Sequence, residues 1–267
     1  MKVHHLNCGT MRPIGVPTPV VCHVLLVESD AGLVLVDTGF GTRDCDNPGE
    51  FGFFRRQIIH PDFNHAETAA TQLPQLGFAL SDVRHIIATH FDSDHIGGIA
   101  DFPNARVHVS AVEAFNAMRS RTIPNRIRYN AAQWAHRPTI VEHDVDGEAW
   151  RGFAAAKELT EIGPGFALVS LPGHTRGHAC VAVDAGDRWL LHAGDAFFHV
   201  SQIAGGPPMP KSLAAFEMAV GENRKMVRDN HSRLTELYHR QDPDLMILCS
   251  HDRELFERAK ALSSPGD

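Results

Sequence analysis

The chain has 267 residues, with 25 Lys plus Arg against 32 Asp plus Glu and a formal charge of −7, which gives it no bulk attraction for nucleic acid. At 43% apolar and 21% charged it is long enough to bury a full core without disulfides. Its longest apolar runs, such as 20–27, are under ten residues, too short to cross a bilayer, and residues 1–8 lack the apolar core of a signal peptide.

In chain order, residues 20–27 predict a buried strand. Residues 33–36 predict a second, ending at Asp37-Thr38-Gly39. Residues 41–62 read as a long loop. Phe51, Phe53 and Phe54 in it suit an apolar wall, a dimer contact or ordinary core. Asn64, with Glu67 three residues on, predicts the cap of a helix over about 65–76. Residues 84–89 predict a strand leading into His90, and 106–109 another. Ser110 and Glu113 then open a short helix to about Met118. The stretch of about 119–165 shows no long periodic segment and reads as an insertion. Its Arg119, Arg121, Arg126 and Arg128 near Tyr129 and Trp134 suit an anionic substrate group or a solvated face. Strands are predicted again at 166–171, 178–184, 188–192 and 245–249. A loop is predicted over 201–212, a helix over 222–240, and a final helix capped by Asp252. Strands followed by helices in both halves predict a layered α/β fold in one domain, 1–267.

The sharpest chemical signal is Thr89-His90-Phe91-Asp92-Ser93-Asp94-His95-Ile96-Gly97-Gly98. Imidazoles and carboxylates packed directly after a strand suit Zn, Fe or Mn, and the Gly pair lets backbone approach closely. Three further strand ends carry ligand-type residues: Pro172-Gly173-His174-Thr175, Ala193-Gly194-Asp195 and Ser250-His251-Asp252. There are 18 histidines in all. Of the others, His178 reads as supporting a ligand, and His192 and His199 flank Asp195. The rest suit surface or satisfied core positions. The five cysteines form no CxxC pair and read as reduced thiols filling apolar space, so a cytoplasmic location is expected.

With Val34-Leu35-Val36-Asp37-Thr38-Gly39, these motifs resemble the metallo-β-lactamase superfamily, in its order from position 34 to 252. Within it the chain looks most like the acyl-homoserine-lactone lactonases. The resemblance implies a four-layer αβ/βα sandwich with a dinuclear centre at one edge. It implies two divalent metal ions, Zn first, with Fe or Mn as alternatives. One would be held by His90, Asp92 and His174, the other by Asp94, His95 and His251. Asp195 would bridge them, and Asp37 would support the site without ligating. It further implies metal-assisted hydrolysis of a small ester-like substrate, a lactone first, with Asp94 or Asp195 accepting a proton. Thioester, phosphodiester or β-lactam hydrolysis, iron redox chemistry and metal binding without catalysis are the alternatives. Two positions depart from the pattern. Asp92 stands where the family's cluster has a second histidine, which makes the first metal less electrophilic and tilts selection toward Fe or Mn. Phe198 stands where the lactonases have a tyrosine, and His199 is the adjacent substitute. The expected partner is a small-molecule substrate, with no nucleic acid and no membrane. Exposed apolar loops are compatible with a homodimer.

Overall fold

The computed structural model describes residues 1–144 and 146–263. One sheet runs β1 (Lys2–Met11), β2 (Val20–Ser29), β3 (Gly32–Val36), β4 (Val83–Ile87), β5 (Arg106–Ser110) and β6 (Thr139–His143), in that spatial order. The other contains β7 (Glu148–Trp150), β8 (Phe153–Glu158), β9 (Phe166–Ser170), β10 (Ala179–Asp184), β11 (Trp189–His192) and β12 (Leu245–Leu248), ordered β12-β11-β10-β9-β8-β7. Pairing is parallel from β3 to β6 and between β11 and β12, and antiparallel elsewhere.

Alternation along the strands dictates four layers. Successive side chains of a strand face opposite ways, and in the central strands both sets are apolar. Leu25, Val27, Val34 and Val36 pack between the sheets against Leu168, Val181, Val183 and Leu190. Their neighbours Val24, Leu26, Leu33 and Leu35 face outward onto Leu73 of the helix Ala69–Gln75 and onto Ile96 and Ile99. On the far side of the second sheet, Val169, Cys180, Ala182 and Leu191 pack on Leu234 and Leu237 of the helix Arg224–His239 and on Leu255 of the helix Arg253–Ser263. Each such fully buried Leu or Val contributes about 1.5–3 kcal/mol, so no layer can be peeled away cheaply. No helix among the described residues is long and apolar enough to cross a membrane.

Several elements differ from their expected form. Residues 41–62 contain the helices Thr42–Asp46 and Phe53–Ile59, which glycines and short length hide from a periodicity reading. The expected helix over about 65–76 is a 3-10 turn capped by Asn64, then Ala69–Gln75 capped by Thr68. Residues 201–212 hold the turn Ser201–Ala204 and the start of the helix Lys211–Val220. The stretch expected as an insertion carries β6 at the edge of one sheet and β7 and β8 at the edge of the other, so the chain crosses between sheets there.

Many histidines are structural. His85, His108 and His143 step across β4, β5 and β6 as a hydrogen-bonded file. His85 Nδ1 lies 2.9 Å from His108 Nε2, and His108 Nδ1 lies 2.9 Å from His143 Nε2. A second group joins His5 Nδ1 to His23 Nε2 at 2.8 Å, while His192 Nε2 donates to the His23 carbonyl.

Candidate metal centre

Four of the donor side chains stand just past the C-terminal end of a strand. His90 follows β4, His174 follows β9, Asp195 follows β11 and His251 follows β12, while Asp94 and His95 lie on the single turn Ser93–Ile96. The shared direction of these strands gathers the donors at one edge of the sandwich.

The chain sets the tautomer of three of the histidines, His90, His95 and His251. Asp37 ends β3 with a positive φ of 57° and receives three bonds: Thr89 N–H at 2.8 Å, Thr89 Oγ1–H at 2.8 Å and His95 Nδ1–H at 2.9 Å. Thr89 Oγ1 in turn accepts from His90 Nδ1 at 3.0 Å. His251 Nδ1 donates to the Val21 carbonyl at 2.8 Å. With the protons on Nδ1, the Nε2 lone pairs of His90, His95 and His251 face the centre. His178 donates from Nδ1 to the Leu171 carbonyl and accepts at Nε2 from the Asp195 N–H, both at 3.0 Å, so it positions Asp195 without entering the donor set.

One half of the centre fits a divalent ion. His95 Nε2 lies 3.3 Å from Asp195 Oδ1 and 3.7 Å from Asp94 Oδ2. His251 Nε2 lies 3.1 Å and 3.4 Å from the same oxygens. Donors around an ion with bonds of about 2.1 Å stand roughly 3.4 Å apart. His95 Nε2 and Asp195 Oδ1 are buried and have no hydrogen-bond partner among the described residues, which a cation would supply. Burial opposes charge on both groups. Even so, the carboxylates of Asp195, Asp94 and Asp37 raise His95 well above the usual imidazole range, and His251, His95 and His174 hold Asp195 well below the carboxylate range.

The other half also gathers donors, His90, His174 and Asp195, and His90 Nε2 is buried without a hydrogen-bond partner among the described residues, but here a cation of the chain stands among them. His90 Nε2 and His174 Nε2 lie 3.4 Å and 3.0 Å from Asp92 Oδ2, and 4.0 Å and 3.3 Å from Asp195 Oδ2. Arg128 also enters this half. Its Nε donates to Asp92 Oδ1 at 2.7 Å and its Nη2 to Asp92 Oδ2 at 2.5 Å. The same Nη2 lies 2.8 Å from His174 Nε2, and Nη1 donates to the Val220 carbonyl at 2.7 Å. Burial pushes the Asp92 carboxyl up, but Arg128 first, then His174 and His90, bring it well below its ordinary value.

A cavity of about 60 Å³ opens onto Asp92, Asp94, His174, Asp195 and His251. Its walls include Met11, Val20, Ile59, Phe198, Leu213 and Phe216. Phe198 packs over His174 and His251 and offers no hydroxyl. His199 bonds Ser201 Oγ at 2.9 Å and does not line the cavity. Phe51 lies behind the wall against Phe40 and Phe63, and Phe53 is 70% exposed. The side chain of Phe54 lies outside the described residues.

The model of the metallo-beta-lactamase superfamily matches residues 17–251. The chain belongs to this superfamily. This superfamily member is 56% identical over 260 residues to a probable metallo-hydrolase of Mycobacterium tuberculosis, covering 97% of this chain and 83% of that protein. It is 27% identical over 174 residues to an N-acyl homoserine lactonase of Bacillus cereus, covering 62% of this chain and 58% of the lactonase. Among solved structures, it resembles an N-acyl homoserine lactone hydrolase with the product N-hexanoyl-L-homoserine at its catalytic metal centre. There the TM-score is 0.70 at 21% identity, covering 96% of this chain and 95% of the other. A dizinc quorum-quenching lactonase gives a TM-score of 0.57 at 19% identity, covering 88% and 74%. These likenesses show the αβ/βα sandwich.

Three residues of the centre carry no local sign in the sequence. Glu113, read as a capping residue, is fully buried. It accepts from Phe91 N–H (2.9 Å), Tyr129 O–H (3.1 Å), Thr175 O–H (2.7 Å) and Gly177 N–H (3.2 Å), tying both ligand loops to one carboxylate. Arg128 stood out only as one of four arginines, with its partner 36 residues away. Cys22 of β2, read as filler, brings its thiol within 4.8 Å of donor atoms of Asp94 and His251.

Proposed function

We propose that this superfamily member is a metal-dependent hydrolase of a small ester with an apolar tail, a lactone first. The observation that carries the reading is the apolar cavity opening directly onto the donor cluster, so an acyl group held by Phe198, Leu213 and Phe216 presents its carbonyl to the centre. The 56% identical probable metallo-hydrolase supports the reaction class, and the lactonases support the substrate class.

A divalent ion bound by Asp94, His95, Asp195 and His251 would supply Lewis acidity, lowering the pKa of a water and polarising the ester carbonyl. The chain's own residues do the rest. Asp37 and the Val21 carbonyl aim the imidazoles of His95 and His251. His178 holds the backbone of Asp195, and Asp94, at the cavity floor, is the carboxylate placed to receive a proton. The Phe198 ring gives shape selection but no donor to the carbonyl.

The test is a panel of lactone, aryl ester, thioester, phosphodiester and β-lactam substrates, run on Zn-, Mn- and Fe-loaded protein. Lactone or aryl ester hydrolysis is expected, lost with a chelator and restored by the metal. Failure to turn over any lactone or ester under every loading overturns the reading.

A further inference from the structure

We propose that Arg128 is a resident cation of the centre. It takes the electrostatic place of one metal, so the chain holds a single divalent ion, at Asp94, His95, Asp195 and His251. The proposal rests on the presence of a metal centre, not on which ester is cleaved.

Geometry comes first. A neutral imidazole offers one in-plane lone pair at its unprotonated nitrogen. His174 Nε2 has Arg128 Nη2, which can only donate, at 2.8 Å and Asp92 Oδ2 at 3.0 Å, so a metal at this nitrogen would have to displace the guanidinium. The guanidinium is forked onto both oxygens of Asp92 and pinned from behind by the Val220 carbonyl. Planar forks of this kind are pre-organised and lose little entropy per bond. The side chain is 16% exposed, so water screens the ion pair little.

Charge points the same way. Arg128 cancels Asp92, which leaves Asp94 and Asp195 as the carboxylates that one dication balances. A second dication beside the guanidinium would bring the centre to five positive charges against the three carboxylates of Asp92, Asp94 and Asp195, where burial weakens screening. The carboxylate at 92 and the arginine forked onto it therefore form one device. Asp92 without Arg128 would be a buried, unpaired carboxylate, and Arg128 without Asp92 a buried, unpaired cation.

The experiment counts metal. Wild-type protein, Arg128→Met and Asp92→Asn/Arg128→Met are equilibrated with excess Zn, desalted and assayed for Zn per chain. Folding is checked by circular dichroism, and melting is recorded with and without Zn. One ion per chain is expected for wild type. Two are expected for Arg128→Met, whose freed Asp92 and His174 can both ligate, with a larger Zn-dependent rise in Tm than wild type shows. The double variant removes the carboxylate as well as the guanidinium and should fold and hold one ion. This keeps the test open if Arg128→Met folds only with Zn. Two ions in wild type, or no gain in Arg128→Met, overturn the proposal while leaving the hydrolase reading intact. One ion in wild type without turnover of any ester does the reverse. No ion in wild type overturns both.

Discussion

Asp37 occupies the left-handed region at a φ of 57°, which an aspartate tolerates better than most residues but not without cost. The strain aims its carboxylate so that one group orients His95 directly and His90 through Thr89. Partners of this kind typically account for 10–100-fold in metal affinity. Asp37→Ala should therefore weaken Zn binding by roughly that factor, measured by competition with a fluorescent chelator. An unchanged affinity would mean that packing alone sets the two imidazoles. At the same scale, Gly97 carries the close approach anticipated for the Gly pair. A Cβ there would collide with the Asp44 carboxylate and the Gly39 carbonyl, so the loop after β3 can lie against the turn bearing Asp94 and His95 only if this position is glycine.

Glu113 links elements. It starts on the short helix Ala111–Ala114, capped by Ser110 as its sequence suggests, and reaches the loops after β4 and β9. Glu113→Ala strands four donors in the interior, and each costs about 1–3 kcal/mol. A loss on the order of 5 kcal/mol is expected, or about 10–20 °C in Tm for a domain of this size. Metal affinity should fall with it, because Phe91 and Thr175 sit next to ligands. A Tm within two degrees of wild type would rule out Glu113 as the tie between the loops. The contrast between Glu113 and the ligands shows what sequence can reveal. His90, Asp94, His95, His174, Asp195 and His251 stand directly after apolar runs, so local pattern places them at strand ends. Glu113 and Arg128 act through partners tens of residues away, and their neighbours in sequence say nothing of those contacts. β1 escaped notice because His4, His5 and Asn7 break its apolar pattern, although His5 is buried and bonded to His23. The short helices before residue 60 escaped because one or two turns between glycines are too short to show a period.

At the scale of the molecule, the histidine excess becomes a pH response. Burial first, then neighbouring imidazoles, lower His5 to about 4 and His108 to about 3, and burial likewise lowers His23, His85, His143, His178 and His192. These rings fold neutral, while in the unfolded chain they take up protons near pH 6.5. The unfolded state then binds more protons, so stability is full above about pH 6.5 and is lost as pH falls toward 4. Asp44 acts in the opposite sense. Burial raises it to about 6 against bonds from Gly41 N–H and Gln133, so the cost of ionising it sets in above its ordinary value of 3.8, is full above about 6 and disappears on acidification. Asp101 and Glu113, also raised by burial, act with Asp44, as do His95 and His251, which, against burial, the surrounding carboxylates raise. The lowered imidazoles, joined by the lowered carboxyls of Asp37, Asp92 and Asp195, are the larger set. The urea midpoint should fall clearly between pH 7.5 and pH 5, and less steeply in His108→Asn. A flat midpoint would show that the buried histidines charge in place.

The file across β4, β5 and β6 has a direction. A neutral imidazole carries one proton and one lone pair, so His85, His108 and His143 satisfy both junctions only when all three rings point the same way. Turning the middle ring alone sets proton against proton at one junction and lone pair against lone pair at the other. The three rings therefore hold a single binary setting, shared along adjacent strands, and the tautomer at one end of the file dictates the tautomer at the other.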